Sequence, residues 1–505
     1  MVFYAIKLAE STINYFLFIF NYYLCNTRTT IISYMNFLRY WSLVAGVFTI
    51  QAAAQIPEFT LEQCLAVALS KNPTVRIADI DITKADYSRR EILGQLLPSV
   101  SFDGSYNRTL QKQVTYMDFD AFGDMMPGGS DGTDGSEESA QSNSMSDGFK
   151  VGRDNMYSLG FQASIPVVAP QLWASLKLGD IQIAKSVEQA RASRLDLINQ
   201  VKNAYYALQL AKDSQRVVRE SYDMAALTHD IYTKRLSVGD ASEYEVLRTS
   251  VAMKNIEPEM IQCDIAVSRA TLQLAVLMGI EADTKFTTAG DLADYEDTMY
   301  ETTLSLQPDL THNTTLIMND IDTRNLQQAL KVQKSSLWPT LALGGNYNWS
   351  SSSNGSPFKN FRWTSYSMVG LSLSIPLYQG GQRYSRIRQA EIQLEQMAYT
   401  RQNLNRTLDM QAKLAIENIT LNVKQIASSR ESVREAERAH DIQQRSFEIG
   451  ATTYLDLRDS ELSLTRARLA LLQSVYNYMV AGSDLELLLG NAPVEQYENA
   501  SQTIE

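Results

Sequence analysis

Between Gly179 and Gly239, and again between Gly381 and Gly450, the sequence contains neither glycine nor proline. Nothing constrains the fold of this chain more. At ~1.5 Å per residue, runs of that length make helices on the order of 90–100 Å long. Helices of such reach point to an elongated architecture. Apolar positions within the first run recur at three- and four-residue steps, as Ile198, Val201, Tyr205 and Leu208, then Val218, Tyr222 and Ala225. Gln200, Lys202, Asp213 and Arg216 fill the intervals. That spacing predicts helices packed side by side as a coiled coil.

Both runs end alike. HDIYTKRLSVG (229–239) parallels HDIQQRSFEIG (440–450), and YEVLRTS (244–250) parallels YLDLRDS (454–460). A second helical run follows each turn, closing on LAVLMGI (274–280) or LELLLGN (485–491). Pro258 interrupts the first of these and predicts a kink that the second lacks. Upstream, LLPSVSFDGSYN (96–107) returns as LWPTLALGGNYN (337–348), and GFQASIP (160–166) as GLSLSIP (370–376). KNPTVRIADID (71–81) likewise returns as HNTTLIMNDID (312–322). A chain with an internal repeat is read as two copies of one unit. Each copy is expected to run helix, strand, strand, long helix, turn, long helix.

The repeated stretches near the prolines alternate. Val100, Phe102, Gly104 and Tyr106 fall on one face, opposite Ser99, Ser101, Asp103, Ser105 and Asn107. Leu341, Leu343, Tyr347 and Trp349 lie opposite Thr340, Ala342, Asn346 and Asn348. Phe161, Ala163 and Ile165, and Val369, Leu371 and Leu373, repeat the pattern. A period of two is the strand signature. Each half therefore holds two strands of about ten residues, the length a tilted strand needs to cross a bilayer. Pro98, Pro166, Pro339 and Pro376 mark the strand ends, and Tyr106, Tyr157, Tyr347 and Trp349 suit an interfacial aromatic girdle. A soluble sheet with one buried face is the alternative. Four strands cannot close a barrel alone, and open edges are not tolerated in lipid, so the barrel is expected to be shared between chains. The loop at 112–154 is rich in glycine, serine and acid and reads as solvated; the second loop, 350–360, is shorter.

Compartment and chemistry follow from less. Residues 35–54, MNFLRYWSLVAGVFTIQAAA, have the layout of an export signal with cleavage after Ala54, which makes 1–34 an expected extension of the reading frame. The first repeat then covers 55–280, a connector 281–310, the second repeat 311–491 and a tail 492–505. A net charge of −12 disfavours nucleic acid as a partner. Cys25, Cys64 and Cys263 form no even-numbered framework and no CxxC pair. No catalytic constellation, metal-ligand cluster or cofactor motif stands out; His229 and His440 are repeat equivalents on different helices. The chain is therefore read as no enzyme. The acids beyond the turns are more informative. Asp456 and Asp459 are three apart, and Glu245 follows Gly239 as Asp456 follows Gly450. Carboxylates converging there from several chains make a cation-favouring ring; carboxylates near a helix start also simply complement its dipole. Spacing leaves both open.

FTLEQCLAVALSKNP (59–73), LLPSVSFDGSYN, SIPLYQGGQ (374–382) and GATTYLDLRDSEL (450–462) together resemble the TolC family of outer-membrane efflux factors, in order and in both repeats. The resemblance implies a mainly α fold with membrane β: a homotrimer whose chains each give four strands to a twelve-stranded outer-membrane barrel, continued by an α-helical periplasmic tunnel. It implies partners too, a periplasmic adaptor docked at the turns and an inner-membrane pump. By that mapping Leu236, Gly239, Gly450, Thr452 and Thr453 belong to the docking turns. Asp456 and Asp459 match aperture-lining acids, and Glu245 matches an acid of the first tip. The family's basic residue two after the turn glycine is Thr452 here, with Arg458 the nearest candidate replacement. A coiled-coil periplasmic adaptor and a surface adhesin are the rival readings. The first has no use for four alternating strands with aromatic ends, and the second predicts length invested outside the cell, whereas here most residues lie in the helices.

Overall fold

The computed structural model describes residues 58–115, 149–281, 283–295, 309–356, 362–494 and 497. The expected extension and export signal, the middle of the acidic loop, part of the connector and most of the tail lie outside the described residues. A short strand β1 (Glu58–Phe59) leads into α1 (Leu61–Lys71) and α2 (Pro73–Gly94), followed by β2 (Ser99–Arg108), β3 (Gln113–Thr115), β4 (Phe149–Val151) and β5 (Asn155–Val168). The long helix α3 (Pro170–Ser237) then turns into α4 (Glu243–Lys254) and α5 (Glu257–Met278). After β6 (Thr287–Thr288) and a 3-10 turn (Leu292–Tyr295) come α6 (Thr314–Ser335), β7 (Thr340–Ser353), β8 (Thr364–Ser374), α7 (Gln382–Glu448) and α8 (Tyr454–Leu489).

α3 has 68 residues and α7 has 67, each about 100 Å by the rise of an α-helix. α3 begins at Pro170, where a missing N–H costs nothing, and runs straight through Gly179. The glycine is a close-packing position, not a boundary: an added Cβ would sit 3.2 Å from Arg89 on α2. Ile198, Val201, Tyr205 and Leu208 are buried together with Leu65 and Leu69 of α1 and Leu274 and Met278 of α5. Cys64 lies in the same core, its thiol pushed up to about 12 by burial and so unreactive. α7 buries Leu408, Ala412, Ile419 and Ile426 at four- and seven-residue steps, Ile419 against Leu485 and Leu489 of α8 and Ile426 against its Val475. The interruption expected at Pro258 is a break at Asn255–Ile256, with the proline in the first turn of α5. The connector docks midway along α3. Tyr205 Oη and Gln209 Nε2 donate to the Ala289 carbonyl at 2.5 and 2.7 Å, and Asp213 accepts from the Leu292 N–H at 3.0 Å.

The four longer strands form one antiparallel sheet in the order β2-β5-β7-β8. Register pairs like with like: Phe102 faces Phe161, Phe161 faces Tyr347, Leu343 faces Leu371 and Leu341 faces Leu373. One face is therefore apolar across all four strands, and the other carries Ser101, Gln162, Asn346 and Ser372. Two expectations change. Ser350–Ser353, read from composition as loop, extend β7, because Asn155–Ser158 of β5 supply ladder partners. The ends of the 112–154 loop are paired as β3 and β4. Pro98 and Pro339 immediately precede β2 and β7, Pro376 follows β8, and Pro166 sits beside the irregularity between Pro166 and Val168, where a missing donor is tolerated. Tyr106 stacks on Tyr157 at 4.8 Å, and Tyr347 meets Trp349 edge-on at 4.6 Å. Gly104 leaves room for Leu159 across the ladder; a Cβ there would lie 2.9 Å from its side chain.

Candidate functional site

The two turns use one backbone recipe. α3 ends in a Schellman motif: the Gly239 N–H donates to Leu236 O at 3.0 Å and the Asp240 N–H to Arg235 O at 2.9 Å. α7 does the same, Gly450 to Phe447 O at 3.1 Å and Ala451 to Ser446 O at 2.8 Å. Gly239 (φ +81°) and Gly450 (φ +72°) take the left-handed conformation this requires. A capping box then starts each return helix. Glu245 Oε2 accepts from the Ser242 N–H at 2.8 Å and hydroxyl at 2.9 Å. Asp456 Oδ2 accepts from the hydroxyls of Thr453 at 2.6 Å and Thr452 at 3.1 Å, and from the Thr453 N–H at 3.2 Å. The Ser242 backbone N–H, then its hydroxyl, holds Glu245 below the usual carboxylate range; the Thr453 and Thr452 hydroxyls do so for Asp456.

The three acids singled out by spacing thus divide. Glu245 and Asp456 are folded back on their own caps. Asp459 is exposed on α8 and has no hydrogen bond or ion pair among the described residues. Arg458 is not free to replace a basic lock either. It is turned into the α7–α8 seam, 3.3 Å from Glu461, whose side chain is 5% exposed. Burial pushes the Glu461 carboxyl up, with Arg458 and then His440 opposing the shift. His440 Nδ1 meets the Ser460 hydroxyl at 3.3 Å, and His229 Nδ1 meets Thr249 at 3.0 Å, so both imidazoles serve helix–helix contacts.

What joins the two turns is a cluster that spacing did not reveal. Tyr232 of α3, Phe447 of α7 and Leu457 of α8 are buried together, with Val246 of α4 and Tyr454 of α8 against them. Tyr232 lies 6.2 Å from Phe447 and 5.7 Å from Tyr454. Arg235 stands over the Tyr232 and Phe447 rings at 5.7 and 5.8 Å, and Arg248 over Tyr454 at 5.5 Å. The sequence signal was the presence of aromatics within two helical turns of Gly239 or Gly450, of which Tyr232 and Phe447 have no aromatic counterpart in the other repeat.

Far from the turns, the sheet is bare. β2 and β8 are exposed along their whole length, and the apolar face includes Phe102 at 56%, Leu371 at 68% and Val369 at 78%. A polar knot lies beyond the strand ends. Asp154 accepts from the Gly355 N–H at 2.8 Å and pairs with Lys112 at 2.9 Å, while Tyr106 Oη donates to the buried Asn155 at 2.9 Å.

Comparison with known proteins agrees with this architecture. Residues 64–280 and 308–491 match the family model described as outer membrane efflux protein. The outer membrane protein TolC of Vibrio cholerae is 22% identical over 344 residues, 66% of this chain and 77% of that one. The cobalt-zinc-cadmium resistance protein CzcC of Cupriavidus metallidurans is 23% identical over 302 residues, 59% of this chain and 68% of its own. The solved CmeC outer membrane channel of Campylobacter jejuni superposes with a TM-score of 0.63 at 16% identity, over 87% of this chain and 89% of that one. The family match runs from within α1 to just past α8, and the chain belongs to the outer membrane efflux protein family: it is an outer-membrane efflux channel whose helical part stands in the periplasm.

Proposed function

We propose that three copies of this chain form one passive duct, a twelve-stranded barrel in the outer membrane continued by a tunnel of long helices. The observation that carries the proposal is the sheet. Its apolar face has no covering layer among the described residues, and its edges β2 and β8 are unpaired and run antiparallel to each other. Lipid satisfies the face; the facing edge of the next copy satisfies the edge, and three such joints close the barrel. Each chain contributes twice because it is two copies of one unit, each giving two strands and a pair of helical arms. The described part of the connector, 283–295, belongs to a girdle around the tunnel near its middle, a reading supported by the docking of Ala289 and Leu292 midway along α3.

The turns are the periplasmic tips. Leu236, Gly239, Gly450, Thr452 and Thr453 present the surface on which a periplasmic adaptor docks, coupling the duct to an inner-membrane pump. Asp459, with its carboxylate free, lines the aperture as a ring of three that favours cations. Glu245 and Asp456 fix the shape of the tips from which that ring projects. The test is topology in intact cells. Cys25, Cys64 and Cys263 are replaced by alanine, and single cysteines are placed at Gln111 and, separately, at Thr453. The duct requires a membrane-impermeant maleimide to label position 111 in intact cells, and position 453 only after the outer membrane is breached. Protection of both positions fits a periplasmic adaptor and ends the proposal.

A further inference from the structure

Large apolar side chains stay exposed at the four junctions between the four-stranded sheet and its helices. Leu97 precedes β2, Val167 lies at the end of β5, Leu337 precedes β7, and Ile375 and Leu377 follow β8. One junction adds charge to this belt. Between the first turns of α3 and the last turns of α6 lies an open cleft of about 440 Å³, walled by Trp173, Trp338, Lys177, Lys331 and Lys334. At its back Gln328 Nε2 donates to the Ala174 carbonyl at 2.7 Å and pins the two helices together. Lys334 reaches Glu391 at 3.3 Å. Lys177 and Lys331 are exposed and have no acidic partner among the described residues. The Trp173 and Trp338 residues are 48% and 65% exposed.

We propose that this cleft binds the headgroup of an anionic phospholipid of the periplasmic leaflet, its phosphodiester between Lys177 and Lys331 and its acyl chains along the apolar face of the sheet. The proposal rests on the reading that the sheet crosses the membrane. Two observations select the occupant. Indole rings, apolar in body with one N–H, gain most at the boundary between hydrocarbon and headgroup, and two half-exposed rings facing plain water gain nothing. Uncompensated lysines at that depth attract anionic lipid, each contributing a several-fold preference. A free phosphate ion would satisfy the lysines and leave the rings uncovered.

The chain's five tryptophans make the site readable. With Trp41, Trp349 and Trp363 changed to phenylalanine, fluorescence comes from Trp173 and Trp338 alone. The full chain is reconstituted in phosphatidylcholine vesicles holding a minor fraction of phosphatidylglycerol, with bromine on the acyl chains of one lipid at a time. Brominated phosphatidylglycerol is expected to quench on the order of fivefold more per molecule than brominated phosphatidylcholine. The preference falls to parity in the Lys177→Gln/Lys331→Gln double variant, and inorganic phosphate does not displace it. Equal quenching by the two lipids, or loss of the preference on adding phosphate, overturns the proposal. So does quenching by aqueous iodide with none from either lipid. A companion protein retaining only Trp349 separates the two readings. If lipid quenches Trp349 without headgroup preference at the cleft, the membrane assignment stands and the site falls; if lipid quenches neither, both fall. Should the phenylalanine background not assemble, native mass spectrometry of the unsubstituted chain and of the lysine double variant reads the same preference as retained phosphatidylglycerol.

Discussion

Glu245, Asp456 and Glu461 give the turns two opposite electrostatic signs. The first two are held below their ordinary values, so their stabilisation is present above those values and is lost as pH falls through the lowered ones. Glu461 is raised by burial, so its ionisation works against the fold. That penalty is absent below its ordinary value of 4.5 and grows as pH climbs through the raised one. Glu461→Gln is therefore expected to gain on the wild type as pH rises from about 4 to about 8, read from melting temperatures of the full chain in detergent. A gap that stays constant or narrows over that range contradicts the burial argument. Thr453→Ala removes the cap hydroxyl and is expected to cost about 1 kcal/mol, visible in the same melts. The sequence carried half of this. The pattern that decides the role of the two acids, a hydroxyl at Ser242 or Thr453 and a carboxylate three residues on, stands in it plainly. Spacing alone could not choose between cap and aperture, because the choice lies in which way a side chain folds. The Tyr232–Phe447–Tyr454 cluster was out of reach, since it joins three helices drawn from two hairpins.

At the scale of elements, α4 and α5 are two-faced. Met253, Ile256, Met260 and Cys263 turn inward against Val218 and Ala225 of α3. Outward, Tyr244, Leu247 and Val251 of α4 and Ile261, Ile265, Leu272 and Val276 of α5 stay exposed, at three-, four- and seven-residue steps within each helix. Glu243–Met278 is long and apolar enough by composition to cross a membrane. Yet one face is packed on α3, the helix breaks at Asn255–Ile256, and Glu257, Glu259, Asp264 and Arg269 interrupt its apolar surface. An outward heptad stripe on a helix already packed inward is the seam of a coiled coil, which in the proposed trimer is the contact with the next copy. Ile265→Asp would bury an unpaired carboxylate there at a cost on the order of 3 kcal/mol per interface. Light scattering of the detergent-purified chain is expected to find trimer lost with helical content unchanged; an intact trimer removes the stripe from the interface. The long helices were legible because breakers are absent and heptads run on. Their ends were less so: α3 passes Gly179 because that glycine serves the approach of α2, a reason that lives in tertiary packing.

For the whole molecule, alternation revealed the two faces of each strand, and the register aligns those faces across the sheet. Neither says what lies beyond an edge. That question belongs to the assembly, and the proposed closure of the barrel answers it in a way that cross-linking tests. Within one chain β2 and β8 are separated by β5 and β7, three ladder spacings or roughly 14 Å, well beyond the ~7 Å that a disulfide spans between Cα atoms. A cysteine at Phe102 on β2 therefore cannot reach one at Ser367, Val369, Leu371 or Leu373 on β8 of its own chain. All five positions belong to the same face, so the pair in register across a joint between copies brings its two Cβ atoms close. With native cysteines replaced, one or two of the four pairs are expected to give covalent dimers and trimers on oxidation in the outer membrane, and the rest none. The sharpness of that choice matters, because random collision would link all four weakly. Leu371→Arg, which places a charge on the apolar face at a cost of about 2–4 kcal/mol near the bilayer centre, should abolish the cross-link, while Ser372→Arg on the opposite face should leave it. If no pair along β8 links to Phe102→Cys, the edges do not meet, and four strands per chain must satisfy lipid in some way other than a shared barrel.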